Sequence, residues 1–156
     1  MCDQATPTLS DLLDRCDTSH FGISYIAYYI LKGRFCYIEN WYEYDAYYNT
    51  WTKQREDYKL RIALSTDVSD AYRNRAVYWM NESVKTDVDE HYQEKYRDMQ
   101  RVLIKISNSL KQYDFKSTIV RECRCLFWVH KLPVSCGAQV SDHDLTVELH
   151  DVELGA

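Results

Sequence analysis

Apolar residues recur along the chain with two different periods, and the change from one to the other divides it. In RFCYIENWYEYDAYYNTWTK, residues 34–53, aromatic residues gather in two short runs separated by a turn, the kind of side chain that strands bury on a pleated face. Trp41 and Glu43 point to one face and Tyr42 and Tyr44 to the other. Asp45-Ala46-Tyr47-Tyr48-Asn49 has turn formers at both ends, and Thr50-Trp51-Thr52 starts a returning strand. This predicts a β-hairpin, extended to three strands by Phe35 to Ile38, with Trp41 and Trp51 on its core face.

The period then becomes helical. Asp57 opens a helix in which Leu60, Leu64, Val68, Ala71 and Tyr72 trace an i, i+4 stripe continuing to about Trp79-Met80. Asn81 to Asp89 is polar and breaks the pattern. Asp87 or Asp89 caps a helix from Glu90 to Lys111, with Tyr92, Tyr96, Met99, Leu103, Ile106 and Leu110 inward. A last helix runs from Phe115 to about His130 and buries Phe115, Ile119, Cys123, Leu126 and Phe127. Ahead of the hairpin, Thr8 or Ser10 caps a short helix through Cys16 carrying Leu9, Leu12 and Leu13. Ser19 caps a second helix in which Phe21, Tyr25, Tyr28 and Tyr29 fall at helical spacing, and Gly33 stops it. The expectation is an α+β fold, mainly helical, in three parts. Residues 1–19 form an N-terminal cap region, 20–131 one domain, and 132–156 an acidic, weakly structured tail with a faint strand pattern at Leu145, Val147 and Leu149.

Composition sharpens this picture. At 156 residues one domain with a modest core is expected, and Tyr contributes 14 residues, so much of the apolar area ends in a hydroxyl. No apolar run approaches a membrane span and no signal peptide pattern opens the chain, which predicts a soluble, intracellular protein with reduced cysteines. The net charge of −5 is unevenly spread. Residues 101–131 hold seven Lys/Arg against two acids, whereas 132–156 hold five acids and no Lys/Arg. A local nucleic-acid face is therefore compatible with an acidic chain. Its candidates are Lys111, Lys116, Arg121 and Arg124, with Arg121 and Arg124 one turn apart on the last helix. The alternative role for the same residues is an ordinary solvated helix face. Tyr42, Tyr44, Tyr47 and Tyr48 are the candidate interaction residues, and Trp41, Tyr42 and Tyr44 the candidate base-stacking platforms, with core packing the favoured role of Trp41.

Other chemistry has little support. None of Gly22, Gly33, Gly137 and Gly155 begins a GxxxxGK[ST] loop. Cys123 and Cys125 stand one residue apart, too close for the usual structural zinc spacing with His130 and Cys136, and a helix would turn Cys123 inward and Cys125 outward. A Cys36–His20 nucleophile pair lacks an orienting third group. No catalytic, cofactor-binding or metal-binding residue is assigned.

The order of elements resembles a known family. Trp41-Tyr42-Glu43-Tyr44, Asn49-Thr50-Trp51, Leu60-Arg61 with Leu64-Ser65, and Ser109-Leu110 through Phe115-Lys116, Ile119 and Glu122-Cys123 carry the likeness over roughly residues 20–128. They resemble the amino-terminal helicase-associated domain of poxvirus-type primase-helicases, which also occurs in other large DNA viruses and in phage and plasmid primases. The resemblance implies a mostly helical collar between a primase and a superfamily 3 motor of the AAA+ class, assembling the hexamer over the DNA channel. Its partners would be a helicase motor, other copies of itself and single-stranded DNA, in host cytoplasm or nucleus. ATP and magnesium would belong to a separate motor. The chain departs from the pattern by starting at its own methionine without a primase ahead, and by diverging after Trp128 as a truncated or frame-disrupted gene does. The alternative function is a stand-alone viral interaction protein that uses the aromatic hairpin. With no phosphate loop, the purified chain is expected to show no ATPase activity above background, with or without single-stranded DNA, in a coupled assay. Turnover that tracks the protein peak on repurification would contradict it.

Overall fold

A computed structural model describes residues 5–134. The fold is α+β and mainly helical, with a small antiparallel sheet in the N-terminal third. Thr8 caps α1 (Leu9–Asp14): its hydroxyl accepts from the Asp11 amide while the Asp11 carboxylate accepts from the Thr8 amide, a reciprocal capping box. The Thr8 amide and hydroxyl both donate to the Asp11 carboxylate, which holds that carboxyl below its ordinary range. Ser19 caps α2 (His20–Leu31), and Gly33, at φ +84°, takes the left-handed turn that ends it.

The sheet runs β1 (Phe35–Ile38), β2 (Asn40–Asp45) and β3 (Thr50–Lys53) in sequence order, each pair antiparallel. Helix α3 (Tyr58–Ala63) passes through one π turn, Leu64–Val68, directly into α4 (Ser69–Ser83). Helix α5 (Glu90–Ser109) returns antiparallel to α4, and α6 (Tyr113–Phe127) packs against α2. Past α6 the chain lies along the sheet edge, where the Val129 amide donates to the Tyr37 carbonyl.

Three helix crossings are closed by serines. Ser69 and Ser107, both fully buried, exchange bonds across α4 and α5: each hydroxyl donates to the other's carbonyl at 2.9 Å. The Ser24 hydroxyl of α2 donates to the Ile119 carbonyl of α6 at 3.4 Å, and Ser65 donates to the Leu110 carbonyl at 3.2 Å. Small side chains let the helices approach closely, and each pairing avoids leaving a buried hydroxyl without a partner.

Several expectations are corrected. The apolar face of α2 is Ile23, Ile26, Ala27 and Leu31, while Phe21 (60% exposed) and Tyr25 face outward. This helix is apolar nearly all round, so periodicity could not tell inside from outside. Helix α4 extends beyond Met80 to Ser83, and α6 ends at Phe127 instead of His130. Tyr92 is exposed in the first half of α5, whose buried residues Leu103, Ile106 and Ser107 all lie in the second half. There Tyr92, Tyr96 and Trp79 stack along the helical pair. The pattern at Leu145, Val147 and Leu149 lies outside the described residues.

The sheet register also separates the two tryptophans. Tyr37 pairs with Trp41, and Phe35 with Glu43, on the face that meets the helices. Trp41 is 5% exposed and its ring meets Phe127 edge-on at 5.5 Å. Trp51 pairs with Tyr44 on the opposite face, is only half-buried, and donates its indole N–H to the Pro133 carbonyl. Trp51 is therefore not a core residue, contrary to the expectation. Trp41→Ala is expected to cost about 3–5 kcal/mol and Trp51→Ala no more than about 2 kcal/mol. Urea unfolding of the two variants checks the difference, and equal losses would contradict the register.

Candidate nucleic-acid interface

Helix α6 carries most of the proposed basic face. One side is fixed by burial: Ile119, Val120, Cys123 and Phe127 enter the core. Burial pushes the Cys123 thiol up to about 12, partly offset by a hydrogen bond with Ser24. The helix therefore has one rotational setting, and that setting decides which cations face water.

The four basic candidates do not act as a group. Arg121 and Arg124 are exposed on the outer side of α6, and Lys111 is exposed in the link from α5. Lys116 is different: it is half-buried, and its ammonium donates to the Ser65 hydroxyl at 2.9 Å. It ties α6 to the π turn, which corrects its assignment to the free basic face. Arg124 also sits 5.7 Å from the centroid of the Tyr37 ring, so this cation borders the sheet.

The aromatic candidates divide as well. Tyr42 is buried, since β2 is the central strand and its residue 42 is flanked by Cys36 and Lys53 on the two neighbours. It is not available as an interaction residue. Tyr44 is half-buried against Trp51, with ring centroids 5.4 Å apart, and its hydroxyl bonds the Asn49 side chain. Tyr47 and Tyr48 are 86% and 72% exposed at the hairpin tip, edge-to-face at 4.8 Å. The Asp45 carboxylate holds that tip by accepting from the amides of both tyrosines, at 2.9 and 3.2 Å.

Sequence reasoning missed the residues that lock this surface in place. Arg61 pairs with Asp57 at 2.9 Å, donates twice to the Ser117 hydroxyl at 3.1 Å and lies over the Tyr113 ring, pinning α3 to α6. Glu43 accepts from Arg34 at 3.3 Å and Lys59 at 2.8 Å, and Arg34 reaches on to Asp67 at 2.7 Å. The hydrogen bond to Glu43 raises the Lys59 ammonium above its ordinary range. The i, i+4 spacing of Asp57 and Arg61 was a readable signal. The Glu43 bridge joins elements distant in sequence and left none.

Among the described residues no group of three or more His, Cys, Asp or Glu could hold a metal ion. Cys123 faces the core and Cys125 faces solvent, while Cys136 lies outside the described residues. Cys36 is buried in β1, and His20 packs edge-on against Phe115. Also among the described residues, no helix is long and apolar enough to cross a membrane. The chain matches no family model, and no curated protein matches it.

The cysteines offer a direct check on the rotational setting of α6. Iodoacetamide at pH 8 is expected to label Cys125 and to spare Cys123, whose thiol is buried and protonated well above that pH. Peptide mass spectrometry of the native protein reads both sites. Equal labelling would mean that α6 is turned differently.

Proposed function

We propose that the chain is a non-catalytic module of a viral or mobile-element primase-helicase, contributing subunit contacts and binding single-stranded DNA through α6. The observation that carries the DNA-binding part is the pair Arg121 and Arg124. Both are exposed, one turn apart, and neither forms an ion pair among the described residues. Elsewhere cations at element junctions are taken up by carboxylates, as Arg34, Lys59, Arg61 and Arg75 are. Two guanidiniums with no such partner are suited to phosphate oxygens. The motifs of the helicase-associated resemblance add to this reading, since Leu60-Arg61, Leu64-Ser65 and Phe115-Lys116 are the residues that join α3, the π turn and α6. The motor, its ATP and its magnesium belong to another domain in this proposal.

A second reading is favoured by one observation, the exposed Tyr47–Tyr48 pair at a tip pre-set by Asp45. A rigid aromatic tip suits a protein partner, because tyrosine supplies contact area at low entropic cost. Salt separates the two readings. Phosphate binding weakens steeply as salt rises, whereas an aromatic protein contact does not.

The test is fluorescence anisotropy with a short labelled single-stranded oligonucleotide at low salt. Changing Arg121 and Arg124 together to Glu is expected to lower affinity at least about tenfold and to flatten the salt dependence. Removing residues 135–156, which carry five acids and no Lys/Arg, is expected to tighten binding. A double variant that binds like the parent would leave α6 as a solvated helix face.

A further inference from the structure

Helix α2 presents an aromatic stripe to solvent. At about 100° per residue, Phe21, Tyr25, Tyr28 and Lys32 fall within about 60° of one another, with Tyr29 beside them. Phe21 and Tyr25 are 60% and 40% exposed, and Tyr28 and Tyr29 are half-buried. The helix itself contains no Asp, Glu, Lys or Arg. An apolar stripe on the side facing away from the core is the pattern of a helix covered on both sides. Single exposed aromatics are ordinary, but a contiguous stripe along about 18 Å of helix marks an interaction surface.

The two ends of the stripe carry opposite charges. At the C-terminal end Lys32 is exposed, its ammonium 4.7 Å from the centroid of the Tyr29 ring. At the N-terminal end the Asp17 carboxylate fills the space that a β-carbon on Gly22 would take, so it lies on the flank of α2. It accepts from the Ser19 amide at 2.8 Å and faces solvent. Neither Lys32 nor Asp17 forms an ion pair among the described residues. A surface with an acid at one end, a base at the other and uncharged rings between is complementary to itself when reversed. Two such stripes laid antiparallel about a two-fold axis bring each Lys32 to Asp17 of the other copy, whereas a parallel pairing opposes like charges.

We propose that a second copy of this chain covers the stripe, the two α2 helices packing antiparallel about a two-fold axis. With Gly22 opposite Lys32 of the second copy, Tyr25 lies opposite its Tyr29, and Phe21 meets the methylene stem of its Lys32. One helix pair is a small interface, so the dimer is weak and forms at micromolar concentration. The inference rests on the reading that the module makes subunit contacts and gives those contacts a location. It does not involve Arg121 or Arg124.

The experiment is sedimentation velocity on the full chain at neutral pH, from about 1 to about 200 µM. The parent is expected to pass from monomer to dimer over this range. Phe21→Ser/Tyr25→Ser is expected to weaken dimerisation at least about tenfold while keeping the parent's urea midpoint, because both side chains already face water. Lys32→Glu sets an acid against Asp17 of the second copy and is expected to weaken it about threefold or more. Lys53→Glu, the same charge change on the exposed edge of the sheet, is expected to have no comparable effect. Changing Arg121 and Arg124 to Glu is expected to leave the dimer intact, which separates this contact from the α6 reading. A parent that stays monomeric would overturn the contact while leaving α6 as it stands. A dimer that Phe21→Ser/Tyr25→Ser leaves intact would place association on another surface and also overturn it. A Lys32→Glu chain that dimerises as well as the parent would overturn the antiparallel arrangement. Dimerisation seen only after residues 135–156 are removed would overturn it too, since the tail would then be the occupant in the full chain.

Discussion

Most of the structure depends on one widened turn. Leu60, Leu64, Val68, Tyr72 and Ala76 are all buried to within 1% and repeat strictly every four residues. An α-helix advances about 100° per residue, so each four-residue step gains about 40°, or about 160° from Leu60 to Ala76. A continuous α-helix would carry the stripe halfway round and face its ends to solvent. The π turn at Leu64–Val68 absorbs part of this excess and keeps the apolar row against the core. The same turn supplies the polar contacts through which distant elements meet. Ser65 receives the Lys116 ammonium and reaches the end of α5, and Asp67 receives Arg34 from the start of the sheet.

Around that turn the sheet and helices are held by charged groups at junctions, with the deep core left to apolar side chains and serines. Glu43, Arg61 and the Asp14–Arg75 pair each join two or more elements, and Asp14 also accepts from the Trp79 indole at 2.7 Å. Arg75 engages Asp14 through two nitrogens, at 2.7 and 2.6 Å, the bidentate geometry that makes such pairs directional. Arg121 and Arg124 are among the exposed cations that join no such pair within the described residues.

The sequence was informative where a side chain has only one inexpensive option. Thr8, Ser19, Asp89 and Gly33 each perform the terminal role that their chemistry predicts. The three-stranded meander follows from alternation and from Asp45 and Asn49 at the loop. What was not legible was which face of an aromatic element turns inward. Tyr and Trp suit both a core and a wet surface, so Phe21, Tyr25, Trp51 and Tyr92 read as inward and are not. The candidate interface shows the same limit. Arg121 and Arg124 were readable from helical phase alone, but the fate of Lys116 depends on Ser65, 51 positions away.

The reciprocal bonds between Ser69 and Ser107 have a mechanical consequence. Each links a hydroxyl on one helix to a main-chain carbonyl on the other, so both are lost if the helices slide by a single residue. The α4–α5 pair therefore has a fixed axial register at this crossing, while further along it Trp79, packed against the core and bonded to Asp14 of α1, stacks on Tyr96. A helix of 20 residues spans about 30 Å. Such a pair resists sliding along its axes. A load at the aromatic end is shared between that crossing and α1, through the Arg75 and Trp79 bonds to Asp14.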